Sequence, residues 1–194
     1  MGKPASRALV AVVGDASLPA RSPKRRLSYE LGRLLVDAGF RLLSGGLGGV
    51  MEAASRGARS SPRYRPGDVV GILPSSDPST ANRYVDIVIP TGLDLGRNML
   101  VAQASAVVAV GGGAGTLSEI AFAWIHRRLI VALRVDGWSG RLADERIDER
   151  VRYPSLQDDL VYGADSAIEA VSLVTRLLPV YTRRHRAIPP GDAR

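Results

Sequence analysis

Val107-Val108-Ala109-Val110-Gly111-Gly112-Gly113-Ala114-Gly115-Thr116-Leu117-Ser118-Glu119 reads as a buried strand, a glycine turn and a helix start. Four apolar residues, three of them Val, suit a strand covered on both faces. Three consecutive glycines strip the turn of every Cβ. That permits positive φ and lets a ligand's oxygens approach the backbone N–H groups. Thr116 and Glu119 stand at the spacing of a capping box, so a helix is expected to begin at Thr116. A helix N-terminus carries free N–H groups and the positive end of its dipole, so a phosphate is expected on this turn.

Upstream, residues 8–13 predict a continuous apolar strand ended by Gly14, and Asp15 opens a loop with Ser and Pro breakers. Leu27, Leu31, Leu34, Leu35 and Ala38 fall at helical spacing, which predicts a helix over 23–38 with Gly39 past its end. A second strand over 40–43 runs into another glycine turn, Ser44-Gly45-Gly46-Leu47-Gly48-Gly49, which opens a helix over 50–58. Strands are expected over 68–73 and 85–89, then a helix over 93–106 holding Arg97 and Asn98.

Downstream, the helix after the glycine turn should bury Leu117, Ile120, Ala121 and Trp124. Strands are expected over 129–133 and 160–162, and the charged stretch 134–154 receives no assignment. Asp165-Ser166 cap a last helix that should face Ile168, Val171, Val174, Thr175 and Leu178 inward, before Pro179. Residues 182–194 are basic with Pro and Gly, and are expected to form a flexible tail on a domain spanning 1–181.

Alternating strands and helices imply a single-domain α/β fold, a Rossmann-like three-layer sandwich around a mostly parallel sheet. Such sheets bind ligands at the carboxyl ends of their strands, near the switch in strand order. Both glycine turns lie at strand carboxyl ends.

The 194 residues, 45% of them hydrophobic, suffice for one well-buried domain. There is no apolar run long enough for a bilayer and no signal-peptide pattern, so the cytoplasm is the expected compartment. The absence of cysteine excludes disulfides, thiolate chemistry and Cys-type metal sites. Only His126 and His185 are present, far apart, so a His-based zinc site is not expected, carboxylates remain able to hold Mg²⁺, and no metal ligand is assigned. The net charge of +7 concentrates at Arg21 to Arg26 and Arg183 to Arg186. With sparse aromatics and no nucleic-acid motif, these read as solvated arginines, and nucleic acid is not expected as a partner.

Familiar versions of the glycine turn do not fit. No Lys precedes Thr116, as a Walker A loop requires. Gly14-Asp15-Ala16 follows the first strand in place of a dinucleotide fingerprint, and Leu43-Ser44 offers no acid to a ribose. Gly137-Trp138-Ser139-Gly140 has the wrong spacing for a nucleophile elbow. Glu119 has two readings: a cap on the Thr116 amide, or an acid/base or sugar contact one turn into the helix. Arg97 could reach over the sheet edge as a fork for phosphate or a clamp on Glu119. Asn82 and Asn98 could bond a base or sugar, or serve as loop and cap residues. Met51 and Trp124 are most simply core.

At these residues the chain resembles the SLOG superfamily of Rossmann-like nucleotide-binding proteins. That group includes the Lonely Guy phosphoribohydrolases and the molybdenum cofactor carrier proteins. The matching stretches are Ser44-Gly45-Gly46 with Gly49-Val50-Met51-Glu52-Ala53, Val70-Gly71-Ile72-Leu73-Pro74, Gly96-Arg97-Asn98, and Gly111 to Glu119. The pattern is more similar to the carrier-like branch than to the Lonely Guy branch. Gly111 stands where Lonely Guy enzymes have Pro, Asn98 where they have Lys, and the Arg-to-turn spacing is one residue shorter.

The resemblance implies a carrier or sensor of a phosphorylated, nucleotide-like or molybdopterin-like ligand, a homodimer, with no cofactor required. The binding set it implies is Gly14, Asp15, Ser44, Gly45, Gly46, Gly48, Gly49, Val50, Met51, Asn82, Arg97, Asn98, Gly111, Gly112, Gly113, Gly115, Thr116 and Glu119. The alternative it implies is a nucleoside 5′-monophosphate phosphoribohydrolase of the cytokinin-activating type. Arg97 and Glu119 would then be catalytic, cleaving an N-glycosidic bond through an oxocarbenium-like sugar.

Overall fold

A computed structural model describes residues 7–182. Seven strands form one sheet: β1 (Leu9–Gly14), β2 (Arg41–Ser44), β3 (Val69–Leu73), β4 (Ile87–Pro90), β5 (Ala106–Val110), β6 (Leu129–Leu133) and β7 (Tyr162–Ala164). Their order is β4-β3-β2-β1-β5-β6-β7, and every pairing is parallel. The chain winds outward from β1 to β4, then returns to lay β5 against the other side of β1. The switch in strand order therefore lies between β1 and β5, where Gly14 pairs with Val110.

Six helices cover the sheet: α1 (Pro23–Asp37), α2 (Gly49–Arg59), α3 (Asn98–Val101), α4 (Ala114–Ile125), α5 (Trp138–Leu142) and α6 (Ala167–Leu177). Successive strand side chains alternate between faces. Val10 and Val12 join Leu31, Leu35, Ala54 and Val174 in one core layer, while Ala11 and Val13 join Val101, Ile120 and Trp124 in the other. All five residues of β5 are buried, as a strand covered on both sides requires. No helix among the described residues is long and apolar enough to cross a membrane.

Several elements depart from expectation. The sheet is wholly parallel. The helix expected over 93–106 is a 3-10 turn, Asp94–Arg97, followed by the single turn of α3. It stops because the Ser105 amide already donates to Leu9 O, committing the chain to the β1 edge. The strand expected over 85–89 begins at Ile87, and that over 160–162 begins at Tyr162. In α6 the buried stripe is Ala167, Ala170, Val171 and Val174, so Ile168 and Thr175 face solvent. The stretch 134–154 holds α5. The tail beyond Thr182, with Arg183, Arg184, His185 and Arg186, lies outside the described residues.

Candidate functional site

At the carboxyl ends of β1 and β5 a cavity of about 390 Å³ opens. Asp15 and Met51 line it from one side, Arg97 and Asn98 from another, and Gly113, Thr116 and Glu119 from α4. It stands at the switch point, where an open parallel sheet leaves a crevice.

Gly111 (φ +66°) and Gly112 (φ +91°) take backbone conformations that other residues rarely adopt. The Gly111 amide donates to Ser139 Oγ at 2.7 Å, and that hydroxyl donates to Leu133 O at 2.7 Å. The Trp138 and Ser139 amides donate to Gly112 O and Gly111 O, each at 3.0 Å. The start of α5 thus fixes the turn from behind. Helix α4 then begins at Ala114 with Gly113 as an N-cap and no side-chain cap. This corrects the expected capping box: Thr116 is already inside the first turn. Its side chain lies over Gly112, where a Cβ would fall 2.1 Å from Thr116 Oγ1. Among the described residues, the amides of Gly112, Gly113, Ala114, Gly115 and Thr116 find no acceptor in the protein. That is a helix N-terminus with its donors open, the geometry that suits an anion.

The turn at 44–49 is built differently. The Gly46 amide donates to Ser44 Oγ at 3.1 Å, and the Val50 amide to Asp15 O at 2.9 Å. Gly49 (φ +62°) lies so close to the chain at 15–16 that a Cβ would fall 2.1 Å from Asp15 O. A Cβ on Gly48 would meet Ala16 O at 3.1 Å. Asn82 does not line the cavity; its amide donates to Gly46 O at 3.1 Å and Leu47 O at 2.9 Å, bracing the turn. Of residues 44–51, Leu47 and Met51 reach the cavity wall. Gly45 makes room for Arg97: a Cβ there would fall 2.5 Å from the guanidinium.

Arg97 joins the two turns. Its guanidinium rests on Gly45 and donates through Nη1 to Glu119 Oε1 at 2.9 Å. Arg97 is 8% exposed and Glu119 6%. Arg97 Nε is buried and, among the described residues, donates to no protein acceptor. Burial drives the Glu119 carboxyl up to about 7, against the opposing pull of Arg97. A carboxyl with that pKa holds or releases a proton near neutrality. Asn98 Nδ2 donates to Ser118 Oγ at 2.8 Å, tying α3 to α4.

Two residues that sequence reasoning passed over stand beside these. Lys24, in the first turn of α1, donates to Asp15 Oδ2 at 2.8 Å. A Cβ on Gly111 would lie 2.4 Å from that carboxylate and 2.6 Å from Lys24 Nζ, so the pair rests on the glycine turn. Lys24 sits in the basic run read as solvated, and only its place in the first turn of the helix that follows β1 could have singled it out. Ser139 lies in the motif set aside for its spacing, and its role is to anchor the turn. Among the described residues, no three His, Asp or Glu side chains gather as a metal-binding group.

Residues 7–161 match the model of the SLOG cluster4 family. An uncharacterized protein of Archaeoglobus fulgidus is 41% identical over 110 residues, covering 56% of this chain and 70% of that protein. Among solved structures, the molybdenum cofactor binding protein of Rippkaea orientalis is 30% identical, with a TM-score of 0.71. That alignment covers 90% of this chain and 99% of the other. The molybdenum cofactor carrier protein of Chlamydomonas reinhardtii is 28% identical with a TM-score of 0.71, covering 89% of this chain and 99% of its own.

Proposed function

The chain belongs to the SLOG cluster4 family, and on that premise we propose that it binds a phosphorylated, nucleotide-like ligand of the molybdopterin class as a carrier or sensor. The observation that carries this reading is the row of unpartnered amides from Gly112 to Thr116, opening beside the buried Arg97. The phosphate rests on those amides and Lys24 guards the turn. Arg97 lines the wall beside them with its positive charge, and Asn98 and Asp15 face the rest of the ligand. Of the 44–49 turn, Leu47 packs on the wall, Gly45 leaves the gap for Arg97, and the Leu47, Gly48 and Gly49 amides, which like those of the other turn have no acceptor among the described residues, add donors. The likeness to proteins described as binding or carrying the molybdenum cofactor supports the ligand class.

The test is to mix the protein with molybdenum cofactor freshly released from a molybdoenzyme and measure co-eluting molybdenum after gel filtration. Stoichiometric retention, lost in Gly112→Ala, is expected. No retention, with no saturable binding of adenosine monophosphate either, would overturn the reading.

One observation favours a second activity. Glu119 is buried, bonded to Arg97 and titrates near neutrality, as a general acid or base for N-glycosidic cleavage would. In that reading Arg97 holds the ribose phosphate and Glu119 stabilises the developing sugar cation or activates water. Adenosine monophosphate and cytokinin-type monophosphates would then yield free base, and Glu119→Ala would abolish its release. Saturable binding without turnover leaves the carrier.

We further read the chain as a homodimer working in the cytoplasm. Ile87, Ile89, Leu93, Leu95 and Met99 leave apolar side chains exposed within the stretch 87–99, which supports self-association. Sedimentation of a single species at monomer mass would overturn the dimer.

A further inference from the structure

The arginines near the start of α1, though solvent-accessible, gather at one concavity. Arg21, Arg25 and Arg26 line a second cavity of about 390 Å³ together with Arg56, Tyr29 and Glu52. It lies between α1 and α2, and shares no lining residue with the first cavity. The same two segments wall both. The loop after β1 gives Asp15 and Ala16 to one and Ala20, Arg21 and Ser22 to the other, while α2 gives Met51 to one and Glu52 and Arg56 to the other.

Four arginines and one carboxylate residue line this cavity. Glu52 reaches only Arg25, at 3.8 Å, and Arg25 Nη2 is turned to Leu18 O at 2.9 Å. Arg25 Nε is buried without an acceptor among the described residues. Arg21, Arg26 and Arg56 have no ion-pair partner among the described residues. Arg56 lies over the Tyr29 ring, 5.6 Å from its centroid, which orients its fork. Like charges confined to one concave site repel one another unless an anion joins them. Several planar forks around a small volume match the oxygens of linked phosphoryl groups rather than a single carboxylate.

We propose that this cavity is a second binding site, for a polyphosphate chain of at least two phosphoryl groups, free or carried by a nucleotide. The chain lies between Arg21 and Arg26 on α1's side and Arg56 on α2's, with Arg25 at its floor.

Isothermal titration of the full chain with inorganic tripolyphosphate tests this, with ATP as a second arm. Saturable binding is expected, weakened roughly tenfold or more in Arg21→Ala/Arg26→Ala/Arg56→Ala. These three side chains are exposed, so the thermal midpoint should hold. Arg41→Ala/Arg150→Ala/Arg176→Ala removes the same charge elsewhere and should leave affinity unchanged. ATP that binds more tightly than tripolyphosphate identifies the nucleotide as the source; ATP that binds no more tightly identifies the inorganic chain. Absence of saturable binding overturns the proposal, and so does equal weakening in both triple variants. Full affinity in the first variant would assign the binding to the Gly112–Thr116 amides and likewise overturn it. Binding confined to a mixed-sequence DNA duplex would also do so. The outcome is independent of molybdenum retention, which reads the first cavity.

Discussion

Among the described residues, two arginine–carboxylate pairs have both partners buried, and they are built to opposite ends. Arg152, fully buried, donates through Nε to Asp159 Oδ2 at 2.9 Å and through Nη1 to Arg128 O at 2.9 Å, and Nη2 pairs with Asp159 Oδ1. Tyr181 donates its hydroxyl to the same carboxylate at 2.7 Å, and the guanidinium lies 3.5 Å from the centre of the Trp124 ring. Arg97 holds Glu119 by one bond and keeps a buried Nε without a protein acceptor. The first pair is closed on itself inside the core. The second is left incomplete at the wall of a cavity. A buried charge with unsatisfied donors is costly, and a site that meets an anionic ligand is where such a cost is retained.

The largest expected effect comes from breaking the closed pair. Arg152→Met leaves the Asp159 carboxylate buried without its cation and should cost about 3–5 kcal/mol in urea unfolding. Binding of adenosine monophosphate per folded molecule should be unchanged, and a comparable loss of binding would erase the distinction between the pairs.

The open pair should reveal itself through pH. Glu119 titrates at about 7 in the folded chain against 4.5 ordinarily, so the folded state holds more protons between those values. Its contribution is fully present below pH 4.5 and is lost as pH rises through 7, by on the order of 3 kcal/mol. Glu119→Gln should flatten this dependence in denaturation curves taken at pH 5 and pH 8 (about the edges of the window). An unaltered slope would show that another group causes it.

Gly45→Ala sharpens the contrast without touching either charge. The new methyl displaces the Arg97 guanidinium, costing roughly 1–3 kcal/mol of stability and weakening ligand binding about tenfold. Gly113→Ala is its control, because nothing lies within 4 Å of a Cβ there and stability should shift by less than about 0.5 kcal/mol.

The smallest effect separates two identical-looking patterns. Ser166 Oγ accepts from the Glu169 amide at 3.1 Å, and Glu169 Oε2 accepts from the Asp165 amide at 2.7 Å. Ser166→Ala should therefore cost about 1 kcal/mol in thermal unfolding. Thr116→Ala should not lower stability through any lost cap, since α4 starts two residues earlier. Equal losses of helix-end protection in hydrogen exchange would restore the capping reading of Glu119.

The same S/T-x-x-E spacing thus marks a cap at Ser166 and the wall of a cavity at Thr116. The difference is the preceding chain. Gly112 and Gly113 let α4 begin early, and Arg97 then draws Glu119 away from the backbone. The two glycine turns divide in a similar way. Both read as anion cradles; at the first, Ser44 Oγ and Asp15 O take the Gly46 and Val50 amides, while at the second the whole row from Gly112 to Thr116 stays open among the described residues. The helix expected over 93–106 was misjudged because its apolar residues serve the β1 edge and the exposed stretch 87–99 as well as a helical face.

Hydrophobic runs and glycine punctuation are local properties, and they determined the strands, the parallel α/β class and the edge of the sheet where the site lies. Arg97 against Gly45 and Glu119, Lys24 and Asp15 on Gly111, Ser139 behind the turn, and the gathering of four arginines between α1 and α2 were decided only in three dimensions. Each joins segments distant in sequence. A hydrogen bond or an unmet charge depends on what the folded chain brings within about 3 Å, and no local pattern encodes that distance.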